Sequence, residues 1–395
     1  MNHCKKTFDF RRIQTDLKSF CFTAFHTSRS HMSLNPKRAK TLVLVYQIGS
    51  LGDTVVSVPS YRAVRRHFGP DADIRVLHNA PRDSRAVPHQ VLEGSGLVNG
   101  SVTFEQFSGR STWKTWIQLW SKLRALKADA IVYVAPGERS PSSVRRDRLF
   151  FRLCGIPQRI GFHAVELAVF DTRDAAGRLS TVPHEAIMRL DRLEQDGIEE
   201  RRSSDMELPL LAVPIHESDE ARLWLEGKCR SEKMQVAVCP GANQSAKFWP
   251  LERFEEIGRR LISLGMEIII IGGPAEKEAG DRLVSAWGQG INAAGQFSVI
   301  GSAALISKCC LLLGLDTGTT HLAAALGVPC VALYADRDAP GQWEPLGESH
   351  LVLRHPMPCG GCGVDLCPVP SHPCMTGINV DQVWAAVQEI LGRVS

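Results

Sequence analysis

The chain has 395 residues, more than the roughly 250 to 300 that a single hydrophobic core usually organises, so two domains are expected. Hydrophobic residues make up 44% and charged residues 22% of the sequence, which excludes collagen, coiled coil, wholesale disorder and a small disulfide scaffold. The net charge of +4 is uneven, since residues 1–200 carry 30 Lys and Arg against 20 Asp and Glu, whereas residues 201–395 carry 16 against 22. The basic first half fits an anionic partner, such as a lipid surface, an acidic glycan or nucleic acid.

The first 40 residues form a basic leader with nine Lys and Arg and two Asp. They have no steady hydrophobic period, and their best apolar stretch, Phe20–Phe25, is interrupted by Thr23. A secretory signal needs an apolar run of about 7 to 15 residues. We therefore expect residues 1–40 to be the disordered leader of a cytosolic protein. The alternative is that translation starts at Met32 and that residues 1–31 are not native.

Past Lys40 the chain alternates short apolar runs with amphipathic stretches. The runs are continuous, which is typical of parallel strands covered by helices on both faces. The predicted strands are Leu42–Tyr46, Ile74–His78, Ala130–Val134, Val236–Cys239, Glu267–Ile271, Cys310–Leu315, Cys330–Tyr334 and Leu351–Arg354. All of them are far shorter than the about 20 apolar residues needed to cross a bilayer.

Between the strands, apolar residues recur at the three- and four-residue spacing of amphipathic helices. The predicted helices are Thr112–Lys127, Leu251–Leu264, Pro274–Trp287, Thr319–Leu326 and a terminal helix at Asn379–Leu391. Strand and helix alternate in two successive runs, so the sequence predicts an α/β protein with two Rossmann-like, doubly wound domains facing each other across a cleft. The charged segment 199–233 is interpreted as a connector. We assign residues 41–215 to an N-terminal domain, 216–378 to a C-terminal domain with a Cys-rich tail, and 379–395 to the terminal helix.

A glycine turn follows the first strand, where residues Ile48–Asp53 read IGSLGD. Gly49 and Gly52 let the backbone turn sharply and approach a ligand closely, and Asp53 stands at the start of the next helix. An Asp in that position can simply cap the helix, or it can act on a ligand in the cleft. The turn lacks the third glycine of the dinucleotide fingerprint, and no acid ends the second strand.

A second loop follows the strand Val236–Cys239 and reads PGANQSAKFWPLERF, from Pro240 to Phe254. Its second proline, Pro250, suits the first turn of a helix. Lys247 lies just before that helix at the carboxyl end of a strand, which is where a diphosphate is expected to bind. An ordinary surface lysine is the alternative interpretation.

A third loop follows the next buried strand, within the sequence LLLGLDTGTTHLAAALGVP (Leu311–Pro329). Asp316, Thr317 and Gly318 lead into a helix whose free N–H groups and positive dipole end favour phosphate. His321 lies in the first turn of this helix. A capped helix explains an Asp or a Thr here, but it gives Gly318 and His321 no role.

Taken together, these segments resemble glycosyltransferase family 9, the ADP-heptose:lipopolysaccharide heptosyltransferases. The shared motifs are SLGD, PGA…K.WP, GGPAE from Gly272 to Glu276, and DTG..HLAAALG.P, in this order and over residues 41 to 390. The last motif, followed by Ala-Leu-Tyr and Gln342-Trp343, is highly specific. The resemblance implies a GT-B fold with a nucleotide diphosphate sugar donor on the C-terminal domain and an acceptor on the N-terminal domain.

The resemblance also assigns roles to single residues. The family's catalytic aspartate falls on Asp53, its phosphate-binding lysine on Lys247 and its ribose-binding acid on Glu276. The donor-contacting loop falls on Asp316, Thr317, Gly318 and His321. A carboxylate across the cleft can take the proton from an acceptor hydroxyl as this attacks the anomeric carbon, which inverts that centre. Because Lys247 and the helix dipole offset charge on the leaving diphosphate, no metal cofactor is expected for catalysis.

A basic run from Arg139 to Arg152 follows the strand Ala130–Val134. Its position predicts that Arg145, Arg146 and Arg148 face the cleft and bind phosphate or carboxylate groups of the acceptor. A solvated basic surface is the alternative.

Four cysteines lie within sixteen residues of a Gly- and Pro-rich tail, at Cys359, Cys362, Cys367 and Cys374. Four thiols can hold zinc or iron tetrahedrally, and the first spacing fits a metal knuckle while the later ones are irregular. A structural metal is therefore one interpretation of this tail. Reduced thiols and a single redox-sensitive pair are the others.

The sequence thus favours an inverting glycosyltransferase that moves a sugar, heptose from ADP-heptose by resemblance, onto a lipopolysaccharide core or related surface glycan. The expected partners are the nucleotide diphosphate sugar, a glycolipid acceptor and the anionic cytoplasmic face of the inner membrane, without nucleic acid. The alternatives are transfer to a protein acceptor and a non-catalytic nucleotide-sugar-binding protein, which would not need Asp53. A sugar-nucleotide 2-epimerase would need extra acids in the cleft, and no motif for them is present.

Overall fold

The computed structural model describes residues 40–80, 88–104, 113–199, 201–228 and 233–394. Its strands are β1 (Leu42–Tyr46), β2 (Asp73–Asn79), β3 (Gly100–Phe104), β4 (Ala130–Tyr133), β5 (Gln158–Ile160), β6 (Gln235–Cys239), β7 (Glu267–Ile270), β8 (Ile291–Asn292), β9 (Leu311–Leu315), β10 (Cys330–Tyr334) and β11 (Leu351–Arg354). Its helices are α1 (Leu51–Val56), α2 (Val58–Phe68), α3 (Pro88–Leu92), α4 (Trp113–Leu126), α5 (Pro141–Leu153), α6 (Glu185–Glu194), α7 (Arg202–Asp205), α8 (Ile215–Glu226), α9 (Leu251–Ser263), α10 (Lys277–Trp287), α11 (Val299–Ile306), α12 (Gly318–Ala325), α13 (Pro373–Thr376) and α14 (Val380–Val394). None of these helices is long and apolar enough to span a membrane.

The first sheet is parallel, with the strand order β3-β2-β1-β4-β5. Alternate residues of β1 point to opposite faces, as in any strand. Leu42 and Leu44 belong to an apolar cluster that includes residues of α4 and α5, whereas Val43 and Val45 belong to one that includes residues of α2 and α6. The strand is apolar throughout because helices cover both faces of the sheet.

The second sheet is also parallel, with the order β11-β10-β9-β6-β7-β8. One face packs against α9 and α14, and the other belongs to the same apolar cluster as the Val43 face of the first sheet. In each sheet the strand order reverses beside the first strand, between β1 and β4 and between β6 and β9. Ligands bind at the carboxyl ends of the strands at such a switch point. The predicted α/β class with two doubly wound sheets is confirmed.

The predicted strands are all present, with ends that differ by no more than one residue. The terminal helix is confirmed as amphipathic, since Val383, Val387 and Ile390 are buried. The strands β3, β5 and β8, which were not predicted, are short strands on the outer parts of the two sheets. The segment predicted as a connector contains the helices α7 and α8, and α8 packs against α11.

Part of this connecting segment is fixed to helix α2 of the first sheet. The guanidinium of Arg62 donates hydrogen bonds to the backbone carbonyls of Ser204, Asp205, Glu207, Pro209 and Leu210, at 2.8 to 3.3 Å. One turn further along α2, Arg66 forms an ion pair with the buried Asp205. The N–H of Leu210 donates in turn to the carbonyl of Ala325 at the end of α12, at 2.6 Å. Residues 204–210 therefore bridge a helix of the first sheet and a helix of the second.

Candidate active site

The turn after β1 holds Asp53 in the first turn of α1. Gly49 has a φ of +122°, and a Cβ atom at this position would lie 2.3 Å from Asp53 Cγ, so only glycine fits. The backbone N–H of Ser50 and its hydroxyl donate to Asp53 Oδ2 at 2.7 and 3.1 Å. The capping interaction considered from the sequence is therefore present, and it fixes one carboxylate oxygen.

The other carboxylate oxygen of Asp53 faces a buried arginine. Asp53 Oδ1 lies 3.5 Å from Arg189 Nη2, and Arg189 Nη1 donates to the Asp53 carbonyl at 2.8 Å and to the Ser57 hydroxyl. Arg189 is fully buried on α6, where its Nε donates to Glu185 Oε1 at 2.8 Å. Burial raises the pKa of Asp53, while the charge of Arg189 and the hydrogen bonds from Ser50 act in the opposite direction. The side chain of Asp53 is still partly exposed, so the carboxylate can accept a proton from a bound ligand.

Three of the predicted donor residues form a cluster beside the second sheet. Lys247 lies in the 3-10 turn Ser245–Lys247, and its Nζ is 2.7 Å from Asp316 Oδ2. His321 Nε2 lies 3.9 Å from the other oxygen of Asp316. Burial lowers the pKa of His321 to about 4 even though Asp316 acts in the opposite direction, so the imidazole is neutral near pH 7. The cluster therefore combines a cation, an anion and a neutral hydrogen-bonding ring.

A cavity of about 370 Å³ adjoins this cluster at the carboxyl ends of β6, β7 and β9. Of the predicted site residues, Thr317, Gly318 and Glu276 line it, whereas Asp53, Lys247, Asp316 and His321 do not. The Glu276 side chain packs against the backbone of Gly241, because a Cβ atom at Gly241 would lie only 2.3 Å from Glu276 Cγ. The volume is in the range of small-molecule sites. The start of α12 supplies free N–H groups for an anion, and Glu276 supplies an acceptor for hydroxyl groups.

The loops of the two sheets meet at the starts of α1 and α12. A Cβ atom on Gly52 would lie 2.8 Å from His321 Cδ2, and a Cβ atom on Gly318 would lie 2.7 Å from the Cβ of Leu51. Ser50 and Leu51 also line the cavity. Asp53 follows Gly52 directly, so the predicted base lies in the helical turn that contacts the start of α12.

A second contact between the halves comes from the loop after β10. Glu138 Oε1 accepts hydrogen bonds from Gln342 Nε2 at 2.7 Å and from Trp343 Nε1 at 3.3 Å. The Trp343 ring centre lies 5.6 Å from the guanidinium carbon of Arg189. The backbone N–H of Glu185 donates to the Gln342 carbonyl at 2.9 Å. The Gln342-Trp343 pair, seen in the sequence only as part of a motif, thus covers the cation that lies beside Asp53.

Sequence reasoning missed Glu185, Arg189 and Glu138. A signal for the first two was present, because helix α6 places Glu185 and Arg189 four residues apart among apolar residues. Charged residues on an otherwise apolar helix face are rarely buried without a partner. That pattern predicts a buried ion pair, although it does not identify Asp53 as the third member.

The basic run on α5 is only partly available to a ligand. Arg146 Nη2 donates to Asp147 Oδ1 at 2.7 Å, and Arg139 Nη2 donates to the other oxygen of the same buried carboxylate at 2.7 Å. Arg145 and Arg148 are exposed on the helix surface. Acceptor binding by Arg145, Arg146 and Arg148 stays a prediction.

The four cysteines of the tail are free thiols. Cys359 and Cys362 are exposed, while Cys367 and Cys374 are partly buried. Within the described ranges, no group of three or more His, Cys, Asp or Glu side chains is arranged to hold a metal ion. The structural metal stays a prediction, as do the two alternatives for this tail.

Known protein sequences are similar to this chain. The family described as "Glycosyltransferase family 9 (heptosyltransferase)" matches residues 199–372. The chain is 27% identical over 322 residues to lipopolysaccharide heptosyltransferase 2 of Escherichia coli strain K12, covering 79% of this chain and 87% of that protein. It is 30% identical over 164 residues to lipopolysaccharide heptosyltransferase 2 of Salmonella typhimurium, covering 39% of this chain and 46% of that protein.

Solved structures agree with the fold. The glycosyl transferase family 9 protein of Veillonella parvula superposes with a TM-score of 0.66 at 20% identity, over 91% of this chain and 100% of that one. The E. coli ADP-heptose LPS heptosyltransferase II superposes with a TM-score of 0.63 at 24% identity, over 89% and 99%. These likenesses establish the two-sheet fold. The matched family region and the sequence relatives show that residues 199–372 are similar to glycosyltransferase family 9, the heptosyltransferases.

Proposed function

We propose that this enzyme transfers heptose from ADP-heptose onto the core of a lipopolysaccharide, with inversion at the anomeric carbon. The observation that supports the proposal is the contact between Gly52 and His321, which joins the start of α1, where Asp53 lies, to the start of α12. The names of the relatives in E. coli and Salmonella typhimurium support the choice of heptose and of a lipopolysaccharide acceptor.

In the proposed reaction, Asp53 is the general base. The acceptor hydroxyl gives its proton to the Asp53 carboxylate while its oxygen attacks the anomeric carbon, and the bond from that carbon to the diphosphate breaks. Burial raises the pKa of Asp53, which makes the carboxylate a stronger base. Ser50 and Arg189 hold both carboxylate oxygens in place before the acceptor arrives, which reduces the entropy lost on reaching the transition state.

The second sheet is proposed to bind the donor and the leaving group. Lys247 and the N-terminus of α12 would stabilise the charge that grows on the departing diphosphate. Glu276, at the edge of the cavity, would accept hydrogen bonds from the ribose hydroxyls of the nucleotide. His321 is neutral near pH 7 because burial lowers its pKa to about 4, so its ring can donate one hydrogen bond to a phosphate oxygen.

We further propose that the enzyme works at the cytoplasmic face of the inner membrane, on a glycolipid acceptor. The support is the charge of residues 1–200, which carry 30 Lys and Arg against 20 Asp and Glu. A basic surface is attracted to anionic lipids by about 1 kcal/mol per residue close to the membrane.

The test is transfer by the purified full chain. The chain is incubated with ADP-heptose and heptose-free lipopolysaccharide, and the product is identified by mass spectrometry, with UDP- and GDP-sugars as donor controls and a protein extract as the alternative acceptor. We expect heptose on the lipopolysaccharide only. Transfer to the protein extract alone, or no transfer from ADP-heptose to either acceptor, would refute the proposal.

The role of Asp53 is tested with Asp53→Asn, which keeps the shape of the side chain but cannot accept the proton. Turnover should fall by about 100-fold or more, while the dissociation constant of ADP changes little. Asp71→Asn is the matched control, because Asp71 is exposed and lies outside the site. Full activity of Asp53→Asn would show that another group is the base.

A further inference from the structure

Four large apolar side chains lie exposed on two neighbouring helices of the first sheet. They are Ile117 (51% exposed) and Trp120 (37%) on α4, and Leu149 (53%) and Leu153 (46%) on α5. Each pair shares a helix face, since its members are three or four residues apart. Trp120 Nε1 donates to the Leu153 carbonyl at 3.0 Å, so the two pairs are adjacent. We call these four residues the α4–α5 surface.

The two helices are packed firmly together beneath this surface. The rings of Trp116 and Phe150 meet edge to face, with their centres 5.2 Å apart. Leu119, Leu123 and Phe151 belong to the buried apolar cluster on this face of the sheet. The two helices that carry the exposed side chains are therefore packed firmly against each other and against the sheet. Single exposed apolar residues need no explanation, but a contiguous apolar group on a soluble surface marks an interaction site.

The exposed charges on the two helices that carry the α4–α5 surface are all of one sign. The only acid in the sequence of the two helices is Asp147, which is buried and paired with Arg139 and Arg146. The exposed cations of the two helices are Lys114, Lys122, Arg124, Arg145, Arg146, Arg148 and Arg152. The guanidinium carbon of Arg124 lies 5.4 Å from the centre of the Trp120 ring, directly beside the apolar group.

We propose that the α4–α5 surface inserts into an anionic lipid membrane. Apolar side chains at the centre, a Trp at the edge and a rim of Lys and Arg are the features by which helices lying on a membrane bind it. The rim attracts anionic headgroups, and the apolar group enters the boundary between headgroups and acyl chains. The biological role of this membrane contact rests on the proposed function. Helix α5 begins at the carboxyl end of β4, so a membrane bound to α5 would lie on the side of the cleft where a glycolipid acceptor would arrive.

Other occupants fit this surface less well. The leader contains nine Lys and Arg and two Asp, so a cationic rim repels it. A second copy of the same surface is repelled for the same reason. The phosphates of a nucleic acid would pair with the cations, but a nucleic acid offers no apolar interior that could bury Ile117 and Leu149.

The test compares binding of the full chain to vesicles of phosphatidylcholine and to vesicles that also contain phosphatidylglycerol. Ile117→Ser/Leu149→Ser should raise the dissociation constant for the anionic vesicles by roughly tenfold or more, because two partly inserted side chains are lost. Ile215→Ser/Leu223→Ser is the matched control, since it removes the same two residue types from the exposed face of α8. This control should bind as the unchanged protein does.

The cationic rim is tested separately with Arg124→Gln, because Arg124 lies beside the Trp120 ring, whereas Lys122 donates to the Thr103 carbonyl of β3 at 2.8 Å. Binding to the anionic vesicles should weaken by about fivefold, and the difference should shrink as salt is raised. Arg222→Gln, on α8, is the control for charge. Binding to neutral vesicles should be weak for all of these proteins.

Three outcomes would overturn the proposal. They are unchanged vesicle binding by Ile117→Ser/Leu149→Ser, equally tight binding to neutral vesicles, and complete loss of binding when residues 1–31 alone are deleted. Heptose transfer to a soluble, deacylated acceptor separates this proposal from the proposed function. Ile117→Ser/Leu149→Ser should retain that activity. If the unchanged protein binds anionic vesicles through this surface but transfers no heptose, the proposed function is refuted and the proposed membrane contact is not.

Discussion

Arg189 is the residue on which the position of Asp53 depends. It bonds to Glu185, to the Asp53 carbonyl and to the Ser57 hydroxyl, and its Nη2 faces the Asp53 carboxylate. Removing one member of a buried ion pair leaves the other charge uncompensated, which costs about 3 to 5 kcal/mol. Arg189→Met should therefore destabilise the protein by about that much, and Glu185→Gln/Arg189→Met should recover most of the loss. Both are measured by urea unfolding.

The double variant also tests the role of Arg189 in catalysis. Arg189 opposes the rise in the pKa of Asp53 more strongly than Glu185 supports it, so losing both charges should raise that pKa further. Because the base must be deprotonated, the acid limb of the kcat/KM profile should move to higher pH. Arg222→Met/Glu226→Gln, which removes an exposed ion pair at the same spacing, should leave the limb in place. An unmoved limb in Glu185→Gln/Arg189→Met would limit Arg189 to a structural role.

His321 should make stability depend on pH. Burial lowers its pKa from 6.5 to about 4 in the folded protein. As the pH falls, the unfolded chain binds the proton first, so stability is lost between about pH 6.5 and pH 4. This one group should cost about 2 kcal/mol between pH 7 and pH 5. His321→Gln should show a loss smaller by that amount in urea unfolding at the two pH values, and an identical loss in both proteins would contradict the burial of a neutral ring.

Local motifs point to the candidate residues of the site, but they do not point to the residues that hold those candidates in place. Asp53, Lys247 and His321 stand at the ends of recognisable strands, so a local pattern reveals them. Arg189 lies 136 residues from Asp53 along the chain, and no local pattern joins two such positions. The contact exists only because α6 folds back onto the start of α1.

At the scale of elements, the start of α1 is fitted closely to α12. Alanine is favoured over glycine in helices by about 1 kcal/mol, but a Cβ atom on Gly52 would lie 2.8 Å from His321 Cδ2. Gly52→Ala should therefore separate the two helices and lower kcat/KM by roughly 10- to 100-fold, as expected when reacting groups are displaced by about 1 Å. Gly392→Ala on α14 is the control, because nothing lies near its added Cβ. Normal activity of Gly52→Ala would show that this contact is not needed for transfer.

Most of the strands that the sequence predicted are buried on both faces, although β11 is a half-buried strand at a sheet edge. β1, β6 and β9 lie at the centres of their sheets, so each is a continuous apolar run. β8 has two residues and β5 has three, too few for any period to be recognised. These short segments form strands because a longer neighbouring strand pairs with them. In the pairing of β7 with β8, for example, Ile269 aligns with Ile291.

The predicted helix Pro274–Trp287 begins later in the structure than the sequence predicts, because a tight turn precedes it. The regular helix begins at Lys277, and Pro274–Glu276 form a 3-10 turn. The N–H of Gly273 donates to Glu276 Oε2 at 2.7 Å. The tight turn directs Glu276 into the cavity, and helical periodicity alone does not distinguish such a turn from a first helical turn.

At the scale of the whole molecule, the two sheets share one apolar cluster and interlocking loops. The N–H of Val182 donates to the Pro340 carbonyl at 2.9 Å, beside the contact between Glu185 and Gln342. We therefore expect the described chain to unfold in one cooperative transition. ADP at a hundred times its dissociation constant should raise the free energy of unfolding by about 2.7 kcal/mol and shift the whole transition.

Lys247→Ala provides the control for that shift. Loss of a hydrogen bond to a charged group should weaken ADP binding by roughly 1.5 to 3 kcal/mol, so the same ADP concentration should stabilise this variant much less. Two separate transitions in the unchanged protein, with ADP moving only one of them, would contradict the single cooperative unit.

The bridge at residues 204–210 has a mechanical consequence. Helix α12 is attached to it through Ala325 at one end, and meets Leu51 through Gly318 at the other. Eight residues of helix are about 12 Å long, so a rotation of about 10° at Leu210 would move the Gly318 end of α12 by about 2 Å. A shift of that size would separate Gly318 from Leu51, which a Cβ atom on Gly318 would approach to 2.7 Å. Arg62 resists such a rotation, because it fixes the chain at Leu210 through the carbonyls of Pro209 and Leu210.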